Sequence, residues 1–202
     1  MKGKVNPGGV SKSRHRFGQL FGAYFLDNVI RLSYIIIMIV FDSSTLILLA
    51  KIEMLELFIS DYKGRLLIPE MVRAEVCIKG KEETPLITGL IAGNKIEVVK
   101  IGHGGAVKKL MEDFNIEAGE AEALFLAIQE GAAAIATDDR NAIRASKFLK
   151  LEFITAIAVL IRAFEKGLID RSAAVIKLQK LQSIGRYSKA IIDDAMRQIK
   201  EG

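Results

Sequence analysis

A set of acidic residues in this chain sits in apolar surroundings, and their types and spacing suit metal chemistry. Asp42 interrupts "MIVFDSSTLILLA" where a β-branched run ends, Glu75 follows in "IPEMVRAEV", Glu120 and Glu122 lie in "GEAEALFLAIQEG", and Asp138 and Asp139 close "ATDD". A carboxylate in such surroundings is costly unless it is solvated, hydrogen-bonded or metal-bound. A shared Mg²⁺ or Mn²⁺ would satisfy all four positions, since these ions take carboxylate and water oxygens. One or two such ions can deprotonate a water, neutralise a phosphate and stabilise a leaving oxygen, which is what phosphodiester hydrolysis requires. His15 and His103 form no zinc pattern and Cys77 is the only cysteine, so neither a His/Cys cage nor an internal disulfide is expected.

Two of the positions offer a choice. Glu120 and Glu122 stand about 200° apart around a helix and face opposite ways. Glu120 is in phase with Leu124, Ala127 and Gly131, a stripe suited to packing on a sheet, and is preferred; Glu122, in phase with Phe125, Gln129 and Glu130, is the reserve. Asp138 follows Thr137 directly at a strand end and is preferred, while Asp139 can equally cap the next helix.

Each residue also has a plain structural role open to it. Asp42 can cap the helix after it, although Ser43 or Ser44 is expected to serve there. Glu75 can pair with Lys79 at i+4, and Glu120 can be a first-turn acid matching the helix dipole. Ser43 and Thr137 are candidates to order a water or touch substrate. Arg140 and Arg144, with Lys147 at i+7, are candidates to grip phosphates, or form a solvated basic face. "GHGG" has neither G-x-G-x-x-G nor Walker spacing and reads as a flexible loop, and Cys77 reads as a small buried hydrophobe.

The elements that must position these groups alternate. A continuous strand is expected over Ile35 to Phe41, and Leu46, Leu49, Ile52, Leu55, Phe58 and Ile59 follow at the spacing of one helix. A strand at Leu66 to Ile68 precedes a helix opened by Pro69; then come a short helix ending at Gly93, a strand in "KIEVVKI", a helix through Val107 and Phe114, and a long helix ended by Gly131. "AAAIA" is a fourth strand, "NAIRASKFLK" a helix, "LEFI" a short strand, and three helices over about 156–166, 171–184 and 188–200 finish the chain. This predicts a three-layer α/β sandwich around a central, mainly parallel sheet of four to five strands, with right-handed crossovers and a helical tail. Ligands bind such sheets beyond the carboxyl ends of the strands, near the topological switch point, where Asp42 and the Asp138/Asp139 pair fall.

Half the residues are hydrophobic and 26% are charged, the balance of a globular protein. The net charge of +5 comes wholly from residues 1–37, where Lys2, Lys4, Lys12, Arg14, Arg16 and Arg31 stand against Asp27; the remainder is neutral, so the main domain is not basic. The leading segment lacks apolar periodicity and reads as a disordered extension, with Met38 a candidate true start. The apolar stretch from Tyr34 to Ala50 is shorter than the roughly 20 residues a membrane helix needs and carries Asp42 in its middle, so no membrane anchor is expected. Lone-cysteine usage points to the cytoplasm.

"MIVFDSSTLI", "IPEMVRAEV", "GEAEALFLAIQEG" and "ATDDR", in that order, resemble a PIN-domain protein, the ribonuclease fold of VapC-type toxins and RNA-processing nucleases. The likeness covers roughly 38–165, and "EKGLID" with a helical extension over 166–202 resembles a prokaryotic branch. The resemblance implies a Mg²⁺- or Mn²⁺-dependent endoribonuclease, with Asp42, Glu75, Glu120 and Asp138 or Asp139 matching the family's acidic quartet. It also implies RNA as substrate, an antitoxin protein as candidate partner, and homodimerisation. The chain departs from the pattern in having Glu rather than Asp at the third site and a doubled Asp at the fourth. Two other functions compete: a non-catalytic RNA- or protein-binding module of the same fold, and a phosphatase of the haloacid dehalogenase kind. The latter typically carries a second Asp where this chain has Ser44.

Overall fold

The computed structural model describes residues 37–102 and 104–202. The expectations of a disordered basic extension and of a strand beginning at Ile35 lie outside the described residues, as does the reading of His103.

Five parallel strands, β1 (Met38–Phe41), β2 (Arg65–Pro69), β3 (Glu97–Val99), β4 (Ala134–Ala136) and β5 (Phe153–Ile154), form one sheet in the order β3-β2-β1-β4-β5. The chain winds outward from β1 to β3 and then restarts on the other side of β1, so the switch point lies between β1 and β4. Val40 pairs with Ile135 and Phe41 with Ala136, and the Asp42 N–H continues the ladder to the Ala136 carbonyl at 3.0 Å. That register carries Asp42 and the residues after Ala136 out of the same edge.

Ten helices among the described residues flank the sheet: α1 (Ser43–Lys51), α2 (Leu55–Asp61), α3 (Glu70–Val76), α4 (Thr84–Ala92), α5 (Gly104–Phe114), α6 (Ala118–Gln129), α7 (Arg140–Phe148), α8 (Ala156–Glu165), α9 (Arg171–Ile184) and α10 (Lys189–Glu201). Strand side chains alternate faces. Val40, Leu67 and Ile135 turn toward α6 and form one core with its Ala121, Ala123, Leu124, Leu126 and Ala127, joined by Val107 of α5 and Ala142 and Ala145 of α7. Small residues in α6 let its backbone approach the sheet closely. On the opposite face Phe41 meets Phe58 of α2 edge-on, and α1 packs on α8, which carries α9 and α10. The layers and the parallel sheet are those expected from the sequence.

Two local expectations are corrected. The apolar spacing from Leu46 to Ile59 suggests one helix, but the chain breaks it at Ile52–Met54, where the Met54 N–H reaches back to Leu49 O at 2.8 Å and the Glu53 N–H to Ala50 O at 3.0 Å. This is a Schellman closure with Glu53 at φ 57°, a left-handed position normally given to glycine. Lacking Gly or Asn, the stop was invisible in the sequence. Glu53→Gly is therefore expected to raise stability by about 0.5–1 kcal/mol, the relieved backbone strain outweighing the looser unfolded chain, read as a higher urea midpoint. The second correction concerns "GHGG": α5 starts at Gly104, so its last two glycines form a helical first turn rather than loop.

Candidate active site

Asp42 stands between the end of β1 and the start of α1, and it is completely buried. It is the N-cap of α1: Oδ1 accepts from the Thr45 N–H at 2.8 Å, while Oδ2 accepts from the hydroxyls of Ser44 at 2.9 Å and Thr137 at 2.6 Å. The cap expected of Ser43 or Ser44 is thus made by the aspartate. Ser43 opens the helix, and Ser44 is the serine that touches the carboxylate. Thr137, a candidate for substrate contact, is fully buried and acts through Asp42; its Oγ1 also accepts from the Asp139 N–H at 3.3 Å.

Asp138 follows the end of β4, the strand beside β1, and is tied to Asp42 through Thr45, whose N–H serves one aspartate and whose hydroxyl donates to Asp138 Oδ2 at 2.9 Å. The Ala156 N–H, at the start of α8, donates to the same oxygen at 2.9 Å, and the Tyr187 hydroxyl donates to Oδ1 at 2.5 Å. A carboxylate has about four acceptor positions. Three donors on Asp42 and three on Asp138 leave capacity on Oδ1 of each.

The paired aspartates make different bonds. Asp139 is the N-cap of α7, its Oδ1 accepting from the Asn141 and Ala142 N–H groups at 2.7 and 2.9 Å, while Asp138 faces the Asp42 network. Glu120 is the third residue of α6 and completes a capping box, Oε2 accepting from the Glu117 N–H at 2.8 Å. Glu122 points elsewhere, its Oε2 accepting from the Met71 N–H at 3.2 Å and so serving the start of α3, which has no side-chain cap of its own. Glu75 rests against the same turn as Glu120: a Cβ on Gly119 would stand 2.5 Å from Glu75 Oε1. Lys79 falls beyond the end of α3, so the i+4 pairing considered for Glu75 is not a helical one.

Charge ties these groups together. Burial pushes the Asp42 carboxyl up to about 6, against its hydroxyl and amide donors, and the charge of Asp138 pushes the same way. Burial likewise raises Asp138, above all its other influences. Glu120 is pushed up to about 7 by burial first, with the charges of Asp139 and Asp42 adding to it. The Tyr187 hydroxyl is raised far above its ordinary value by burial and by Asp138, so it remains a donor. Repulsion thus links Asp42 to Asp138 and to Glu120, and Glu120 to Asp139.

Among the described residues, no three His, Cys, Asp or Glu side chains are arranged to hold a metal ion as they stand. The reason is visible in the bonds: Glu120, Glu122 and Asp139 are engaged in helix capping. In chemistry the donor set nonetheless fits a hard divalent cation, being all oxygen, with Asp42 buried and Asp138 and Glu120 half-buried, and with spare acceptor capacity on both central aspartates.

Thr45 and Tyr187 were missed in the sequence. Thr45 reads as helix interior, and only its place three residues after Asp42 hints at a role. Tyr187 is the one aromatic residue between 166 and 202 and follows closely on Gly185, which is the only signal it gave.

Gly119 yields a prediction. The clash that a Cβ would make is with the flexible end of Glu75, so Gly119→Ala should leave stability nearly unchanged yet displace that carboxylate. If Glu75 serves the site, activity should fall on the order of 100-fold, the cost of misplacing a group by about 1 Å; steady-state rates alongside an unfolding curve check it.

A parallel α/β sandwich that gathers acids at the carboxyl edge of its sheet has a nuclease-type architecture. Residues 38–201 match a family model described as a PIN domain, and the chain belongs to that family. No curated protein matches it. No helix among the described residues is long and apolar enough to cross a membrane.

Proposed function

We propose that the protein is a Mg²⁺- or Mn²⁺-dependent endoribonuclease whose ion is held by Asp42, Asp138 and Glu120, with Glu75 beside them. One observation carries this reading: a buried Asp42 and a half-buried Asp138, repelling each other at the switch point, are joined by Thr45 and each keeps a free acceptor position. When bound, the ion would neutralise phosphate charge and provide an activated water. The chain's own groups do the rest. Thr45, Ser44 and Thr137 fix Asp42, and the α8 amide fixes Asp138. Glu120, held through Oε2, keeps Oε1 as an acceptor toward water. Arg140 and Arg144, exposed on α7 just after the Asp139 cap, would meet RNA phosphates. Lys147 instead lies over the Phe153 ring at 5.4 Å and serves packing.

The same reading makes the protein a toxin or an RNA-processing nuclease of the cytoplasm, with an antitoxin and a second copy of itself as partners. Its domain proper spans 38–165 and its helical extension 166–202. A binding-only module is favoured by a different observation, the use of Glu120, Glu122 and Asp139 as caps. Titrating Mg²⁺ or Mn²⁺ against single-stranded RNA separates the two: ion-dependent cleavage supports the nuclease, and RNA retention without cleavage supports the module.

A further inference from the structure

The three donors to Asp138 come from separate parts of the fold: Thr45 in α1, the Ala156 N–H at the start of α8, and Tyr187 in the turn between α9 and α10. The first two converge on Oδ2. Without the third, the carboxylate would be pinned at one oxygen and free to swing the other about it. The Tyr187 hydroxyl, on Oδ1 at 2.5 Å, stops that rotation and fixes the direction of the remaining acceptor position.

The tyrosine is itself held in place. Its ring folds back over Gly185, where any Cβ would collide with ring atoms Cε2 and Cδ2 and with the Leu181 carbonyl. Gly185 ends α9, and Ser188 caps α10 at the Ile191 N–H, so the turn is closed on both sides of Tyr187. The C-terminal helix pair therefore delivers one hydroxyl to the acidic rim, about 50 residues further along the chain than the aspartate it meets.

We propose that Tyr187 is a positioning residue of the site, aiming Asp138 at the bound cation, and that α9 and α10 are a working part of the nuclease through it. This rests on the metal-dependent reading given above. Outer partners that orient a ligating carboxylate are worth roughly 10–100-fold in metal affinity or activity. The test is Mn²⁺ affinity, measured by calorimetry on the full chain, for the parent, Tyr187→Phe and Gly185→Ala. Tyr187→Phe keeps the ring and removes only the hydroxyl; Gly185→Ala keeps the hydroxyl and displaces it. Both should bind Mn²⁺ about ten-fold more weakly or worse. For Tyr187→Phe, kcat on single-stranded RNA should fall with KM little changed, and the metal-free unfolding midpoint should fall only modestly, by the loss of one hydrogen bond to a carboxylate. If the parent binds Mn²⁺ and cleaves RNA while Tyr187→Phe binds the ion as tightly or more tightly, the positioning role is wrong and the nuclease reading stands. If the parent binds no Mn²⁺, the nuclease reading falls and takes the positioning role with it.

Discussion

Asp42→Asn is expected to reduce RNA cleavage on the order of 10³-fold or more, while the metal-free protein stays as stable as the parent or becomes more so. The amide matches the carboxylate in size, and its oxygen still accepts from the Thr45 N–H and caps α1. Its NH₂ can donate to the hydroxyls of Ser44 and Thr137, which turn to accept. The charge is lost, and with it the anionic ligand, while the buried Thr137 hydroxyl gives up the acceptor of its proton. At pH 8 the parent carries that charge in a fully buried position whose carboxyl is pushed up from 3.8 to about 6. A shift of that size corresponds to roughly 3 kcal/mol of burial and repulsion that the amide avoids. Cleavage rates and thermal unfolding in chelator, measured on the same preparation, decide the matter. Parent-like cleavage by the variant would remove Asp42 from the chemistry.

The second large effect is a stability that rises on acidification without metal and is flattened by it. Asp42 and Glu120 hold their protons more tightly in the folded chain, at about 6 and about 7, than at their ordinary values of 3.8 and 4.5. Folding therefore favours proton uptake, so the metal-free protein should gain stability as pH falls from 8 through 7 and 6, the gain being complete near the ordinary values. Saturating Mn²⁺ should work in the opposite direction. At pH 8, a hundredfold excess over the dissociation constant adds about 2.7 kcal/mol, and this shrinks toward pH 5 as protons compete for the same oxygens. Thermal unfolding between pH 5 and 8 should show stability rising on acidification in chelator and rising markedly less with Mn²⁺. A flat profile in chelator, or no Mn²⁺ shift at pH 8, would contradict the account.

How much of this was legible in the sequence varies from residue to residue. The strands could be read because buried parallel strands are continuous β-branched runs, and Asp42 stood out as the polar residue that ends one. The strand order could not be read from spacing. That β1 lies beside β4 is what brings Thr137 to Asp42, 95 residues apart, and Asp138 to Thr45, 93 apart. How Asp138 and Asp139 divide was equally hidden: both roles suit an aspartate, and only the hydrogen bonds show Asp139 capping α7 while Asp138 joins Thr45 and Ala156. Glu53 hid a helix end by taking a glycine's conformation without being one. Tyr187 was hidden for the opposite reason: a single tyrosine in a helical tail has no periodic partner, and its role depends wholly on how the tail folds back.

The central claim is that Asp42 and Asp138 share one cation at the junction of β1 and β4. Crystals soaked in Mn²⁺, with data collected to show the anomalous signal of manganese, test it most directly. The account predicts one peak within ligand distance, about 2.0–2.2 Å, of Oδ1 of both aspartates, with Glu120 or a water bound to Glu120 completing the shell. A peak at some other cluster, or none at this rim in crystals of folded protein at saturating Mn²⁺, would contradict it.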